Sequence, residues 1–352
     1  MSLKDNKIKW SHVEKWFERE SMKTHWKPWG IPEIVDPRGS AFADVDPMPK
    51  WKVPEKIAIS ATMNGAFFTP AANPNIPTTP AQIIRSAEEC IEAGATIIHL
   101  HVRDEKGYNV LDVDLFRRVI EPLRERHPDI VIDGCLVAVN DEESQQMEKM
   151  MSACLLDSVP INTCAILIGD NMFFKSPHAI IRKARLALEV GLTPQIAVYS
   201  DGDIDNARRY LIDSGLLEPP FFWLVLPALP GCSPMYSPES MISGLTRYVG
   251  MIREISQDSI ISVCAAGRAS TYLTTLATLM GLNIRVGMED TIYKWPHKDD
   301  RITSNVEHFK LALTIAQSLG RELMGAKEYL AQIGATPAAE LRARMAVARS
   351  TR

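Results

Sequence analysis

The chain has 352 residues, 46% hydrophobic and 23% charged, with a net charge of -4 and a pI near 6.1. That length holds one or two domains, and a single α/β barrel reaches it alone. The composition is that of an ordinary globular protein, which excludes disorder, collagen and coiled coil, and the acidic balance argues against a nucleic-acid partner or a basic membrane patch.

Residues 1–52 read as an N-terminal extension. They carry five of the seven tryptophans (Trp10, Trp16, Trp26, Trp29 and Trp51) together with Pro28, Pro32, Pro37, Pro47 and Pro49. Proline removes backbone donors and fixes φ, so no regular element runs through the whole segment. Five indoles are too much apolar surface to leave in water, so the segment is expected to lie over the main domain or over a neighbouring subunit. The opening MSLKDNKIKW has no apolar signal region, and no run of about 18 apolar residues occurs. The six cysteines form no C-x-x-C pair, and several sit in apolar runs where a free thiol acts as a small hydrophobe. A reducing, cytoplasmic setting without a membrane is expected.

From residue 53 the pattern alternates. Lys56–Met63 reads as a strand, and Ala81–Glu92 as a helix behind Thr79 as N-cap and Pro80 at its first position. Strand Ala95–Val102, helix Asp112–Arg126 and strand IVIDGCLV follow, then helix Asp141–Ser152 and a strand region over Ser158–Leu167. Helix Pro177–Val190 ends at Gly191, strand PQIAVYS follows, and helix Asp203–Ser214 ends at Gly215. Strand FFWLVL, a Pro/Gly/Ser loop over Pro227–Pro238, helix Glu239–Ile255, strand SIISVCA, helix Ala269–Met280, strand NIRVGME and helix Asn305–Leu319 complete the series. Eight strand–helix units with strands apolar on both faces predict a (β/α)₈ TIM barrel over residues 53–335, followed by a tail over 336–352. The doubly wound open sheet is the alternative, but no G-x-G-x-x-G follows the first strand.

His99 and His101 stand two apart in the strand IIHLHV, so both side chains share one face. Inside a barrel and near a strand's carboxyl end, two imidazoles form metal-ligand geometry. The plainer alternative is a pair of hydrogen-bonded core histidines, but two buried imidazoles are costly without a common partner. In the last strand Arg285, Gly287 and Glu289 share a face by the same period, which makes Glu289 a third ligand. Asp290, at the strand end, is a candidate base, and Arg285 could orient it or hold a substrate carboxylate. A structural Arg–Glu pair with a capping Asp is the competing account. Asn162 and Thr163, near the end of the fourth strand, are candidate donors to a carboxylate. Arg103 and Asp104 are either support for the histidines or a loop ion pair, and Arg268 reads as a surface salt bridge. No nucleophile motif such as G-x-S-x-G is present.

The blocks NGAFFTPAANPNIPTTPAQI, AGATIIHLHVRDEKG, PQIAVYSDGDIDNA, IRVGMEDT and SNVEHFKLALTIAQSLGRE resemble, in order, those of the β-keto acid cleavage enzyme family. The resemblance covers about Lys56 to Gly334. It implies a zinc-dependent (β/α)₈ barrel and a homo-oligomer, with a tetramer as the expected form. It also implies Zn²⁺ on His99, His101 and Glu289, with Asp290 as the base and Arg285 as its partner. The implied reaction takes a β-keto acid and acetyl-CoA to acetoacetate and a new acyl-CoA, with the metal as Lewis acid. Asn64 and Phe67 then stand in the substrate-binding region. Phe67 occupies the position of a family Glu that meets a substrate amino group, so an uncharged β-keto acid is expected in place of an aminated one. Gln195 stands where the family commonly has Glu, and IDGCLVAVNDEE departs from the usual substrate-carboxylate region. The competing functions are another zinc-dependent lyase, aldolase or hydrolase of a keto acid, and a metabolite-binding barrel without chemistry.

Overall fold

The computed structural model describes residues 9–18, 51–138, 141–168, 170–229 and 231–350, in two units that divide at Val53 and Pro54. The N-terminal unit contributes one described helix, Trp10–Phe17, on which Val13 and Phe17 are exposed. Trp26, Trp29 and the prolines up to Pro49 lie outside the described residues.

The second unit is a closed barrel of eight parallel strands. They are β1 (Ile59–Thr62), β2 (Ile97–Leu100), β3 (Val131–Gly134), β4 (Ser158–Asn162), β5 (Thr193–Val198), β6 (Phe222–Val225), β7 (Ile260–Val263) and β8 (Asn283–Gly287). They pair in chain order, and β8 closes on β1 with Arg285 opposite Ser60. Helices intervene in the same order: α1 (Pro80–Glu92), α2 (Val113–Arg126), α3 (Asp141–Ser152), α4 (Pro177–Val190), α5 (Asp201–Ala207), α6 (Pro238–Ile255), α7 (Ser270–Leu279) and α8 (Asn305–Ser318).

Side-chain alternation sorts each strand between two environments. Ile98, Leu100, Ile132, Val159, Ile196, Trp223, Ile261 and Ile284 face outward and join helix residues such as Ile83, Phe116 and Leu245 in one core. Inside, Ala58, Ile97, Val131 and Phe222 form an apolar floor, sealed from below by Met324, Tyr329 and Ile333. Above that floor the interior turns polar: Ser60, Thr62, His99, Asp133, Asn162, Gln195, Ser262 and Arg285 are all buried. A buried polar layer at the carboxyl end of a parallel barrel is where such folds place their chemistry.

Several segments differ from the sequence expectation. The first strand is split, because Lys56–Ile57 pairs with Glu322–Leu323 before the chain changes partner at Ala58, whose N–H donates to Asn283 Oδ1 at 3.0 Å. The Ser158–Leu167 region is two elements. The barrel strand stops at Asn162, and Ala165–Ile168 pairs antiparallel with Asn171–Phe174 as a separate hairpin. The helix expected from Asp203 starts at Asp201 and loosens into a π-turn over Arg208–Ile212. Past the barrel, Ala338–Ser350 is helical, with Ala338 and Leu341 buried.

Candidate metal centre and active site

His99 and His101 rise from the carboxyl end of β2, and each is fixed by a different device. His99 lies in register with Asp133 of β3, and its Nδ1 is 2.9 Å from Asp133 Oδ1. His101 falls one residue beyond the strand, so the ladder does not hold it. Asn64 does so instead: His101 N donates to Asn64 Oδ1 at 3.1 Å, and Asn64 Nδ2 donates to His101 O at 3.3 Å. The chain then forms a short hairpin, Arg103 opposite Asn109, which sets Asn109 Oδ1 2.7 Å from His101 Nδ1. With both Nδ1 atoms engaged by oxygen acceptors, both Nε2 atoms are turned toward Glu289 as the positions open to a cation, the arrangement metal-ligating histidines use.

The acidic side of the site comes from a turn. β8 ends at Gly287, whose φ is +146 and where a Cβ would lie 2.0 Å from Thr62 O, so only glycine lets the chain pass. The N–H groups of Asp290 and Thr291 both donate to Gly287 O. Glu289, expected on the strand face, therefore sits with Asp290 in one tight turn, and both carboxylates reach the barrel mouth. Gly65 (φ +58) presses on Glu289 from the other side, where a Cβ would come within 2.5 Å of Glu289 Cγ. Arg103 fixes this loop by donating to the carbonyls of Gly65 at 2.8 Å and Phe68 at 2.6 Å. It does so in preference to Asp104, which accepts from the N–H groups of Lys106 and Tyr108.

His99 Nε2 is 3.1 Å from Glu289 Oε2, and His101 Nε2 is 3.3 Å from Glu289 Oε1. Neither contact has hydrogen-bond geometry: both Nε2 atoms and Glu289 Oε2 are buried without a hydrogen-bond partner. The three candidate ligand atoms lie within 4.8 Å of one another. Such orphaned atoms are costly unless a cation satisfies them, so His99, His101 and Glu289 fit a divalent metal, with two imidazoles and one carboxylate as donors. The surrounding carboxylates favour positive charge at this spot. Burial pulls the His99 pKa down, but the Glu289 and Asp133 carboxylates outweigh it and raise it to about 9. Glu289 is held well below the carboxylate range, because Arg285 and the two imidazoles overcome its burial.

Beside this centre Asp290 is clamped by Arg285, with Nη2 to Oδ1 at 2.5 Å and Nε to Oδ2 at 3.2 Å. Arg285 Nη2 also lies 3.2 Å from Glu289 Oε1, so one guanidinium ties the base candidate to the candidate metal ligand. Burial raises the Asp290 pKa to about 6, against the pull of Arg285.

A cavity of about 620 Å³ opens over these groups, within the range of small-ligand sites. His99, His101, Arg285, Glu289 and Asp290 line it, as do Asn162 and Phe67. The rest of the wall is mostly apolar: Leu224, Leu226, Leu229, Ala197, and Ile168 and Phe173 of the separate hairpin. Asn162 Nδ2 donates to the Tyr199 hydroxyl at 2.9 Å, while its Oδ1 is buried without a partner. Two expected substrate contacts lie elsewhere. The Asn64 amide is engaged by the His101 backbone, and Thr163 Oγ1 donates to Asp203 O at 2.8 Å, so neither faces the cavity. Gln195 is buried opposite Pro160, also outside the lining. Sequence reading missed Asp133, Asn109, Tyr199 and Glu143. Only Asp133 carried a signal, as a lone acid in an apolar strand.

Residues 56–334 match the family model described as beta-keto acid cleavage enzyme. A 3-keto-5-aminohexanoate cleavage enzyme of Fusobacterium nucleatum is 33% identical, covering 76% of this chain and 94% of its own. A 3-dehydrocarnitine:acetyl-CoA trimethylamine transferase of Rhizobium meliloti is 26% identical, covering 78% of this chain and 94% of its own. Among solved structures, a ternary complex of ObcA with a C4-CoA adduct and oxalate superposes with a TM-score of 0.63 at 18% identity. It covers 74% of this chain and 68% of that one, and the likeness is one of fold.

Proposed function

Because this chain belongs to the β-keto acid cleavage enzyme family, we propose that its cavity exchanges acyl groups between a β-keto acid and acetyl-CoA, yielding acetoacetate and a new acyl-CoA. The observation that carries this reading is the conjunction of three buried, mutually facing ligand atoms with an Arg-held carboxylate on one cavity. His99, His101 and Glu289 would hold the cation, zinc in this reading, which when bound would supply Lewis acidity for the charge that develops on the substrate.

The chain's own residues do the rest. Asp290 takes the C2 proton of the β-keto acid, a task suited to a carboxylate whose pKa stands above its ordinary value. Arg285 keeps that carboxylate aimed and compensates its charge. The C2 carbanion bonds to the acetyl carbonyl carbon, and CoA leaves as the thiolate. The thiolate then adds to C3, the C2–C3 bond breaks, Asp290 returns its proton to the C2 carbanion so released, and acetoacetate departs from the new acyl-CoA. No protein nucleophile takes part. Asn162 lines the cavity as a polar contact for substrate, and Phe67 lines its rim. The apolar walls exclude water, which favours acyl transfer to CoA over hydrolysis. The six free cysteines, four of them buried, support a reducing, cytoplasmic setting.

The test is incubation with acetyl-CoA and a panel of β-keto acids, following acyl-CoA products by mass spectrometry alongside metal analysis of protein purified without added metal. Turnover that needs water but no acetyl-CoA, or full activity of metal-free protein in chelator, defeats the proposal.

A further inference from the structure

Beside the cavity lies a second pocket, of about 190 Å³, between the loop after β3 and the start of α4. Asn162 lines both, so the two spaces share a wall. The second pocket is cationic. Lys183, on the barrel-facing side of α4, is 8% exposed, and its Nζ donates to Leu136 O at 2.5 Å. Lys175, half-buried, donates to Ala138 O two residues further along the same loop. Arg182 also lines the pocket but is paired with Glu148. Lys175 and Lys183 form no ion pair with any described residue; the Cys135 and Cys164 thiols act on both through space, and Glu143 acts on Lys175.

A buried ammonium without a counter-charge is costly, and each ammonium carries more N–H donors than the one carbonyl seen here accepts. Burial pulls the Lys183 pKa down to about 8, which still leaves the amine largely charged at neutral pH. The feature therefore calls for an anion. The pantetheine arm of CoA separates its thioester from its phosphates by many bonds, so a pocket sharing Asn162 with the reaction cavity is too close to take them. We propose that Lys175 and Lys183 form a subsite for a carboxylate at the far end of the substrate, and that this chain acts on β-keto diacids. The proposal rests on the acyl-exchange reading above for the reaction, but not for the binding. The bonds made and broken are unchanged, with the distal carboxylate carried into the acyl-CoA product.

Two measurements test it. The first needs no turnover: calorimetric titration of the wild type and of Lys183→Met with adipate and with hexanoate. Adipate is expected to bind the wild type at least 10-fold more tightly than hexanoate, with that advantage lost in the variant. The second is the ratio of kcat/KM for 3-oxoadipate to that for 3-oxohexanoate, at fixed acetyl-CoA. It is expected above 10 in the wild type and at least 10-fold lower in Lys183→Met. Lys175→Met, at a half-buried position, provides the same comparison should the buried substitution unfold the protein. Equal binding of adipate and hexanoate by the wild type overturns the subsite. So does a parallel fall for both substrates, which leaves the lysines as anchors of the loop carbonyls. A rise in acetyl-CoA KM with an unchanged substrate ratio also overturns it, by assigning the amines to CoA. Absence of any turnover with intact adipate selectivity overturns the reaction and leaves the subsite standing.

Discussion

Asp290 and Glu289 are neighbours in sequence with opposite pKa shifts, which fits the proposed division between base and ligand. Glu289 faces two imidazoles as well as Arg285, which hold it well below the carboxylate range against its burial; for Asp290 burial and the neighbouring Glu289 charge outweigh Arg285 and His99, and its pKa rises to about 6. Asp290→Asn should therefore lower kcat by about 10² to 10⁴ while metal content, measured by elemental analysis, stays that of the wild type. Loss of metal in the variant would move Asp290 into the ligand set. Phe67 bears on substrate choice. It lines the cavity yet is 51% exposed, an apolar ring at the rim with no charge to offer an ammonium. Uncharged β-keto acids should exceed 3-keto-5-aminohexanoate in kcat/KM by about 10-fold, and Phe67→Glu should narrow the gap. An advantage for the aminated substrate in the wild type would hand the acid's role to Glu143, which also lines the cavity. The histidine pair and the Arg285, Glu289, Asp290 group were legible in the sequence because charged and imidazole side chains interrupt apolar strands. Asn64 and Asn109 were not: each acts on His101 through a loop register that the residue types do not encode.

At the scale of elements, legibility followed local chemistry. α4 was readable to the residue, since Ser176 accepts from Ala179 N at its start and Gly191 leaves it with φ +79. The fourth strand was not, because Ser158–Asn162 and the hairpin from Ala165 are both strand-like, and only barrel closure decides where one stops. α8 gives a pH prediction. Its His308 is buried, and burial lowers its pKa to about 4, with Nδ1 left without a partner. An unfolded chain binds a proton on this residue near pH 6.5, which the folded one refuses down to about pH 4. The contribution is thus fully present above pH 6.5 and is lost progressively as the pH falls to 4, on the order of 3 kcal/mol. Denaturant melts of wild type and His308→Gln across that range should show a shallower pH slope in the variant; identical slopes would mean that His308 titrates in the folded protein as it does in the unfolded chain.

At the scale of the whole molecule, the barrel buries its own core, whereas the described residues of the N-terminal unit leave large apolar side chains exposed. Val13 and Phe17 of its helix are 44% and 82% exposed, and Trp51 is 78% exposed. Apolar side chains of this size seek a partner surface, an indole alone burying roughly 150–250 Å² when covered. Exposed apolar groups recur on the hairpin over the cavity, at Leu167, Met172 and Phe174. We propose that both belong to contacts between copies of this chain in a homo-oligomer. Removing residues 1–49 should then lower the mass in solution, measured by light scattering, or lower the melting temperature by several degrees. The remaining barrel should keep its metal, because every proposed ligand and every side chain that orients one lies at or beyond Asn64. A truncated protein with unchanged mass and unchanged melting temperature would rule out the structural role of the extension. Retained metal with a halved mass would separate the two layers of the design, with chemistry within each barrel and assembly through what precedes it.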